Sequence, residues 1–370
     1  MFFNTVCQGK FPKKLLCKSY KSWKERVIKV KEEILKGILE DSLEKAYRGK
    51  KVLITGGLGF IGSNLAIKLC KLGEDVIIVD SLIEGYGGNL FNIEPVKDQV
   101  RVNIADVRDE SSMHYLVKDK DFIFNLAGQV SHLDSMVNPY VDLEINCRSQ
   151  LSILEACRKN NKDVKIVYAG TRQQYGKPDY LPVDEKHLVH PTDVNGINKM
   201  AGEWYHILYN NIYGIRAVSL RLTNTYGPRQ LMKHNRQGFF GWFVRQILDG
   251  EQIKIFGDGN QMRDFNYVGD TVNAFLVAGA RENGFGNFYN LGGTERISLK
   301  RLVDLMIKIN GNGSYSIVPF PEDRKIIDIG DFYADFSKIK QELGWLPEIN
   351  LEEGLRLTLN YYRQNKRYYW

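Results

Sequence analysis

Val52-Leu53-Ile54-Thr55 runs directly into Gly56-Gly57-Leu58-Gly59-Phe60-Ile61-Gly62, and a helical pattern continues to Leu72. A strand that turns so tightly into a helix N-terminus aims backbone N–H groups and the positive end of the helix dipole at one point, a seat for a pyrophosphate. Three glycines meet three needs: Gly56 a tight turn, Gly59 close approach of backbone to ligand, Gly62 close helix–strand packing. A second apolar run, Val76-Ile77-Ile78-Val79, ends in Asp80, 21 residues after Gly59. A carboxylate at that place receives the adenosine ribose hydroxyls and repels a 2′-phosphate, so the expected cofactor is NAD rather than NADP. Phe60 and Ile61, inside the turn, join Gly56, Gly59, Gly62 and Asp80 as expected cofactor contacts.

From Lys51 onward short β-branched runs alternate with helical patterns, which predicts a parallel sheet covered on both faces. Expected strands are Lys51–Thr55, Asp75–Asp80, Val100–Ile104, Phe122–Leu126, Lys165–Ala169 and Ala217–Leu222; expected helices are Ser63–Leu72, Tyr140–Lys159 and Gly196–Tyr213. The fold class is therefore α/β, a Rossmann-type doubly wound sheet with a smaller C-terminal substrate-binding lobe. The expected division is a basic helical extension over 1–48, a cofactor domain over 49–226 with an interleaved return near 265–295, and the lobe over 227–370.

The net charge of +7 raises nucleic acid as a partner, but residues 1–51 carry 12 Lys and 2 Arg against 6 acids, a balance of +8 that leaves −1 for the rest. The body is nearly neutral, so no nucleic-acid partner is expected. In the extension, Trp23, Val27, Val30, Ile34 and Ile38, widened by Leu35 and Leu39, recur at helical spacing and predict one or two amphipathic helices between Ser22 and Tyr47. No apolar run approaches the roughly 20 residues of a membrane span, and the first residues lack the apolar core of a signal peptide. Cys7, Cys17, Cys70, Cys147 and Cys157 form no CxxC pair, which fits free thiols in a cytoplasmic protein. No metal site is expected.

These motifs resemble the extended short-chain dehydrogenase/reductases, the NAD-dependent sugar-nucleotide epimerases and dehydratases, from about Lys50 to the C-terminus. Gly56-x-x-Gly59-x-x-Gly62 is that family's spacing. The resemblance implies that Asp106, in Ala105-Asp106-Val107-Arg108-Asp109, faces the adenine amino group with Val107 beside it. It also implies that Leu126 and Ala127, in Asn125-Leu126-Ala127-Gly128-Gln129, pass behind the cofactor. Asn224, in Arg221-Leu222-Thr223-Asn224-Thr225-Tyr226-Gly227-Pro228-Arg229, and Arg263, in Gly257-Asp258-Gly259-x-Gln261-x-Arg263-Asp264-Phe265, are implied contacts of a substrate diphosphate. A guanidinium suits that task because it binds phosphate oxygens bidentately.

Family chemistry uses a tyrosine to take a sugar-hydroxyl proton while NAD oxidises the carbon, with a lysine four residues on that lowers the phenol pKa and binds the nicotinamide ribose. A Ser or Thr at the preceding strand end hydrogen-bonds the same sugar oxygen. Here Thr171 and Lys199 occupy those places, but the tyrosine position holds Asn195. An amide has no suitable pKa for a general base. Lys199 itself, or a nearby group such as His132, is one source of the base; Thr171 with bound water is a second; loss of catalysis is a third. Tyr168 and Tyr175 read as packing residues. Arg172 and Gln173 stand where 4,6-dehydratases carry Asp-Glu, which argues against dehydration, and Gln173 also against decarboxylation.

The expectation is an NAD-dependent sugar-nucleotide epimerase in which Thr171 and Lys199 hold the reacting hydroxyl and the nicotinamide ribose, Asn195 orients the sugar or a water, and Asn224 and Arg263 anchor the diphosphate. A net dehydrogenase and a non-catalytic binding protein are the alternatives. The resemblance also implies a homodimer formed through the helices at Tyr140–Lys159 and Gly196–Tyr213.

Overall fold

The computed structural model describes Gly37 and residues 40–370. The chain divides into two units, Met1–Tyr47 and Arg48–Trp370. Of the first, Gly37 and residues 40–47 are described, all helical; the apolar stripe from Trp23 to Leu39, with Cys7 and Cys17, lies outside the described residues.

In the second unit seven strands form one parallel sheet: β1 (Lys51–Thr55), β2 (Asp75–Asp80), β3 (Val100–Ile104), β4 (Phe122–Asn125), β5 (Lys165–Thr171), β6 (Arg216–Leu222) and, from far downstream, Phe288–Asn290. Their order, with that late strand at the edge next to β6, places β1 between β2 and β4. This is the expected doubly wound sheet, with its topological switch at β1 and β4, where such folds open a ligand crevice at the strand C-termini. Central strands read as apolar runs because both faces are covered; Leu53, Val79, Ile123 and Ile166 share one core cluster with Leu154, Ala156 and Cys157.

The first helix, α1 (Phe60–Leu72), starts inside the glycine turn and stops at Gly73 in a left-handed conformation (φ 83°). The expected helix Tyr140–Lys159 is present, from Pro139 to Asn160, but a π-helical turn interrupts it. After α2 (Glu110–Leu116) and α3 (His132–Val137) come α4 (Pro139–Leu143), a π-helical turn (Glu144–Arg148) and α5 (Ser149–Asn160). In the widened turn the side chains of Ser149 and Gln150 both donate to the Ile145 carbonyl, and apolar periodicity carries no sign of such a turn. The next helix, α6 (Val194–Tyr213), begins where Asp193 accepts the Gly196 N–H and ends at left-handed Gly214.

The expected boundary at 226–227 falls inside the second unit. There β7 (Asn224–Tyr226) leaves the large sheet and pairs with β9 (Met262–Tyr267), after α7 (Phe239–Asp249) and β8 (Ile253–Phe256). The chain then returns: α8 (Val268–Ala280) packs on β5, β6 and α1, and β10 (Phe288–Asn290) is the late edge strand. A second core gathers Tyr226, Phe240, Phe243, Val244, Leu302 and Leu355.

Candidate cofactor and substrate site

A cavity of about 320 Å³ opens at the C-terminal ends of β1, β2, β4 and β5, and every expected cofactor residue lines it: Gly56, Gly59, Phe60, Ile61, Gly62, Asp80, Asp106, Val107, Leu126, Ala127 and Lys199. Its floor tolerates no side chain. A Cβ on Gly62 would stand 2.4 Å from the Gly56 carbonyl oxygen, and one on Gly56 (φ +67°) would stand 2.9 Å from the Ala127 backbone. Asp80 accepts the N–H of Leu58 (3.1 Å) and of Leu82 (2.9 Å), which fixes it beside the turn. Burial pushes its carboxyl up from the usual carboxylate range against those bonds. A bare backbone cradle at a helix N-terminus with a fixed carboxylate at the next strand end fits an adenine dinucleotide. Asp106 also lines the cavity, with both oxygens engaged by Arg108, Nε at 2.9 Å and Nη2 at 2.6 Å.

Thr171, Asn195 and Lys199 share the other end of this cavity. Thr171 closes β5 and accepts the Gln173 N–H at 3.1 Å. Lys199 is buried, its ammonium 4.5 Å over the Tyr168 ring, without a hydrogen bond among the described residues. Burial lowers it to about 8, opposed by the charges of Asp142 and Glu203. Asn195 is tied down: its amide nitrogen donates to the Gln129 carbonyl (2.8 Å), Gln129 Oε1 (3.3 Å) and Asp142 Oδ2 (3.0 Å). Only its carbonyl oxygen is left for a ligand. Asn146, in the π turn, donates to the same Gln129 carbonyl and the same Asp142 oxygen, so Asn195 completes a buried amide–carboxylate network. Tyr168 and Tyr175 are wholly buried: Tyr168 stacks on His206 (4.4 Å) and Tyr175 donates to Asn290.

A second cavity, about 380 Å³, adjoins the first in the smaller lobe. Both volumes suit small-molecule sites. It contains Arg263 and Arg172. Among the described residues Arg172 Nη1 and Arg263 Nε are buried without a hydrogen-bond partner. Arg172 is lowered to about 10, first by burial and then by the charge of Arg263. Arg263 is partly engaged within the chain, donating to the Met262 and Gly330 carbonyls, with Asp328 3.7 Å away. Asn224 lies outside both linings, donating to the Asp264 carbonyl (2.9 Å) and accepting from Arg172 (3.2 Å). Trp242, Phe256 and Phe320 complete an aromatic wall that sequence reading missed, because its members come from separate short elements without a common motif.

Among the described residues His132 alone lines both cavities. Its Nδ1 lies 3.0 Å from Asp193 Oδ2. Asp193 carried no signal in the sequence beyond that of a helix cap.

The model of the NAD dependent epimerase/dehydratase family matches residues 52–292. A Methanocaldococcus jannaschii protein provisionally named UDP-glucose 4-epimerase is 38% identical over 85% of this chain and 99% of its own length. The crystal structure of UDP-glucose 4-epimerase from Thermotoga maritima with UDP-glucose superimposes with a TM-score of 0.77 at 32% identity, over 85% of this chain and 99% of that one. The Thermus thermophilus UDP-glucose 4-epimerase complex with NAD gives 0.75 at 29% identity, over 85% and 99%.

Proposed function

The chain belongs to the NAD dependent epimerase/dehydratase family, and from that premise we propose that it is a sugar-nucleotide epimerase that works without the usual tyrosine. One observation carries the reading. A glycine-floored cavity for NAD adjoins a second cavity whose two buried guanidiniums, Arg172 and Arg263, keep N–H groups without partners. Buried donors left unpaired are costly, and an anionic ligand removes that cost; a sugar nucleotide brings a diphosphate to the arginines and a sugar towards the first cavity. Bound NAD supplies a reversible two-electron acceptor for a ring carbinol.

In this account Thr171 holds the reacting hydroxyl at the end of β5, and the Lys199 ammonium holds the nicotinamide ribose. Asn195 serves the site by fixing Gln129 and Asp142 and by offering its carbonyl oxygen. Arg263 and Arg172 grip the diphosphate, and Asn224 acts through Arg172. Dehydration is disfavoured because Arg172 and Gln173 supply no carboxyl group beside Thr171.

The exposed apolar stripe Ile197, Trp204, Leu208 and Ile212 on α6 supports a homodimer. No helix among the described residues is long and apolar enough to cross a membrane. The free thiols of Cys70, Cys147 and Cys157 favour the cytoplasm.

Proton NMR of the protein with NAD and, in turn, UDP-, CDP-, dTDP- and GDP-sugars tests the proposal. The expected result is a new anomeric signal from a second sugar nucleotide with no net reduced cofactor. A keto-sugar with stoichiometric reduced cofactor makes the protein a dehydrogenase; tight NAD binding with every sugar unchanged contradicts the proposal.

A further inference from the structure

With Asn195 unable to titrate, the site needs a proton acceptor. Among the described residues five ionisable side chains line the cofactor cavity: Asp80, Tyr86, Asp106, His132 and Lys199. Asp80 ends β2, next to the glycine turn, and both Asp106 oxygens are occupied by Arg108. Tyr86 follows β2, and burial, with the charges of Asp134 and Asp142 adding to it, raises its pKa and makes it a poorer base still. Lys199 is buried over Tyr168, and the family reading already gives its charge to the ribose.

His132 differs from all four in reaching the substrate cavity as well. It opens α3, whose N-cap Ser131 accepts the Asp134 N–H. That helix is pinned to the head of α6: Ser135 Oγ accepts the Asn195 N–H at 3.2 Å. The imidazole and Asn195, the residue that replaced tyrosine, line the same cavity. The imidazole Nδ1, buried and off the line of a hydrogen bond, lies 3.0 Å from Asp193 Oδ2, and the Asp193 side chain is wholly buried while that of His132 is 39% exposed. Asp193 is itself held in place, accepting the Gly196 N–H at 2.7 Å and the Gln173 amide at 2.8 Å. Burial would raise its carboxyl, but His132, Gly196 and Gln173 outweigh that and hold it below the usual range. The Gln173 N–H in turn meets Thr171 Oγ1, so the carboxylate and the hydroxyl expected at the sugar are linked through one residue.

The geometry points to His132 as the general base of this enzyme, with Asp193 as the residue that positions it. This rests on the epimerase reading. The charge of a carboxylate 3.0 Å from Nδ1 favours the proton on that nitrogen and leaves Nε2 as the acceptor. In the forward step the O–H bond of the sugar hydroxyl breaks and its proton goes to Nε2. The carbinol carbon, oxidised to a ketone, gives up its hydrogen and electron pair to NAD. The proton returns from Nε2 when the ketone is reduced.

Two measurements test this. Nitrogen-15 NMR of the imidazole rings in the NAD-bound protein is expected to find His132 protonated at Nδ1, and Asp193→Asn to shift it towards the other tautomer. A purely structural Asp193 would leave the tautomer alone, and an Nε2-protonated His132 in the parent protein overturns the proposal. Turnover of whichever panel sugar the parent converts is expected to fall roughly 100- to 10,000-fold in His132→Gln, with affinity for that sugar's nucleoside diphosphate by calorimetry within about twofold of the parent. A parent that turns over beside a His132→Gln variant of equal rate overturns the base and leaves the epimerase standing. A parent that converts no sugar overturns both.

Discussion

Lys199 shows what the site asks of one residue. Its ammonium is buried over an aromatic ring and lowered from 10.5 to about 8, chiefly by burial. The sign of the linkage follows. Below pH 8 the lysine is charged in both folded and unfolded chains, and the cost of burying it is fully present. Between pH 8 and 10.5 the unfolded chain holds more protons, so stability rises with pH through that window. Lys199→Met is therefore expected to raise the urea midpoint at pH 7 by the equivalent of ~1–3 kcal/mol, with the gain fading towards pH 10, while weakening NAD binding. A variant less stable than the parent at pH 7 contradicts this account. The motif made Lys199 legible in sequence, as it did Thr171 and the glycines, because their spacing from a strand end or helix start is fixed by backbone geometry. His132 was legible only as one candidate base among several: its partner Asp193 is 61 residues away, and only the packing of α3 on α6 brings them together.

Among the elements, α6 carries the heaviest structural duty. Glu203 accepts from Arg221 on β6 (Nη2 at 2.6 Å) and from Ser219 at 2.8 Å, all buried, and the Arg221 guanidinium lies 3.8 Å from the centre of the Phe288 ring on β10. One pair thus ties α6 to the strand that receives the late returning strand. Glu203→Ala is expected to cost about 3–5 kcal/mol in denaturant unfolding, because it leaves a buried guanidinium uncompensated. Glu203→Leu with Arg221→Met should recover much of the loss, and a single variant within about 1 kcal/mol of the parent would contradict the account. The six expected strands of the sheet and the helices after β1 and before β6 were legible to within three residues because both faces of the sheet are buried, whereas the short elements of the lobe were not. The π turn was not, since inserting a wider turn leaves the apolar spacing nearly intact; yet it carries Asn146, which shares the Gln129 carbonyl and Asp142 Oδ2 with Asn195.

For the whole molecule, the doubly wound sheet was legible from the alternation of apolar runs and helical patterns. The second cavity was not, because its walls are drawn from residues 132 to 329 and no local pattern joins them. The exposed stripe on α6 is expected to close a dimer, visible as a two-chain particle in sedimentation velocity that Leu208→Asp converts to one chain; a parent protein that sediments as a monomer contradicts that. The central claim is that NAD oxidises and re-reduces a sugar carbon although the tyrosine is gone. Its most direct test is to give the NAD-bound protein the sugar nucleotide that it converts in the panel, deuterated at the carbon that inverts, in ordinary water and to follow the product by NMR. The expected product is the epimer with its deuterium kept at that carbon, since the hydrogen leaves and returns without meeting solvent. Epimer that has lost deuterium to water, or every panel sugar left unchanged beside bound NAD, would contradict it.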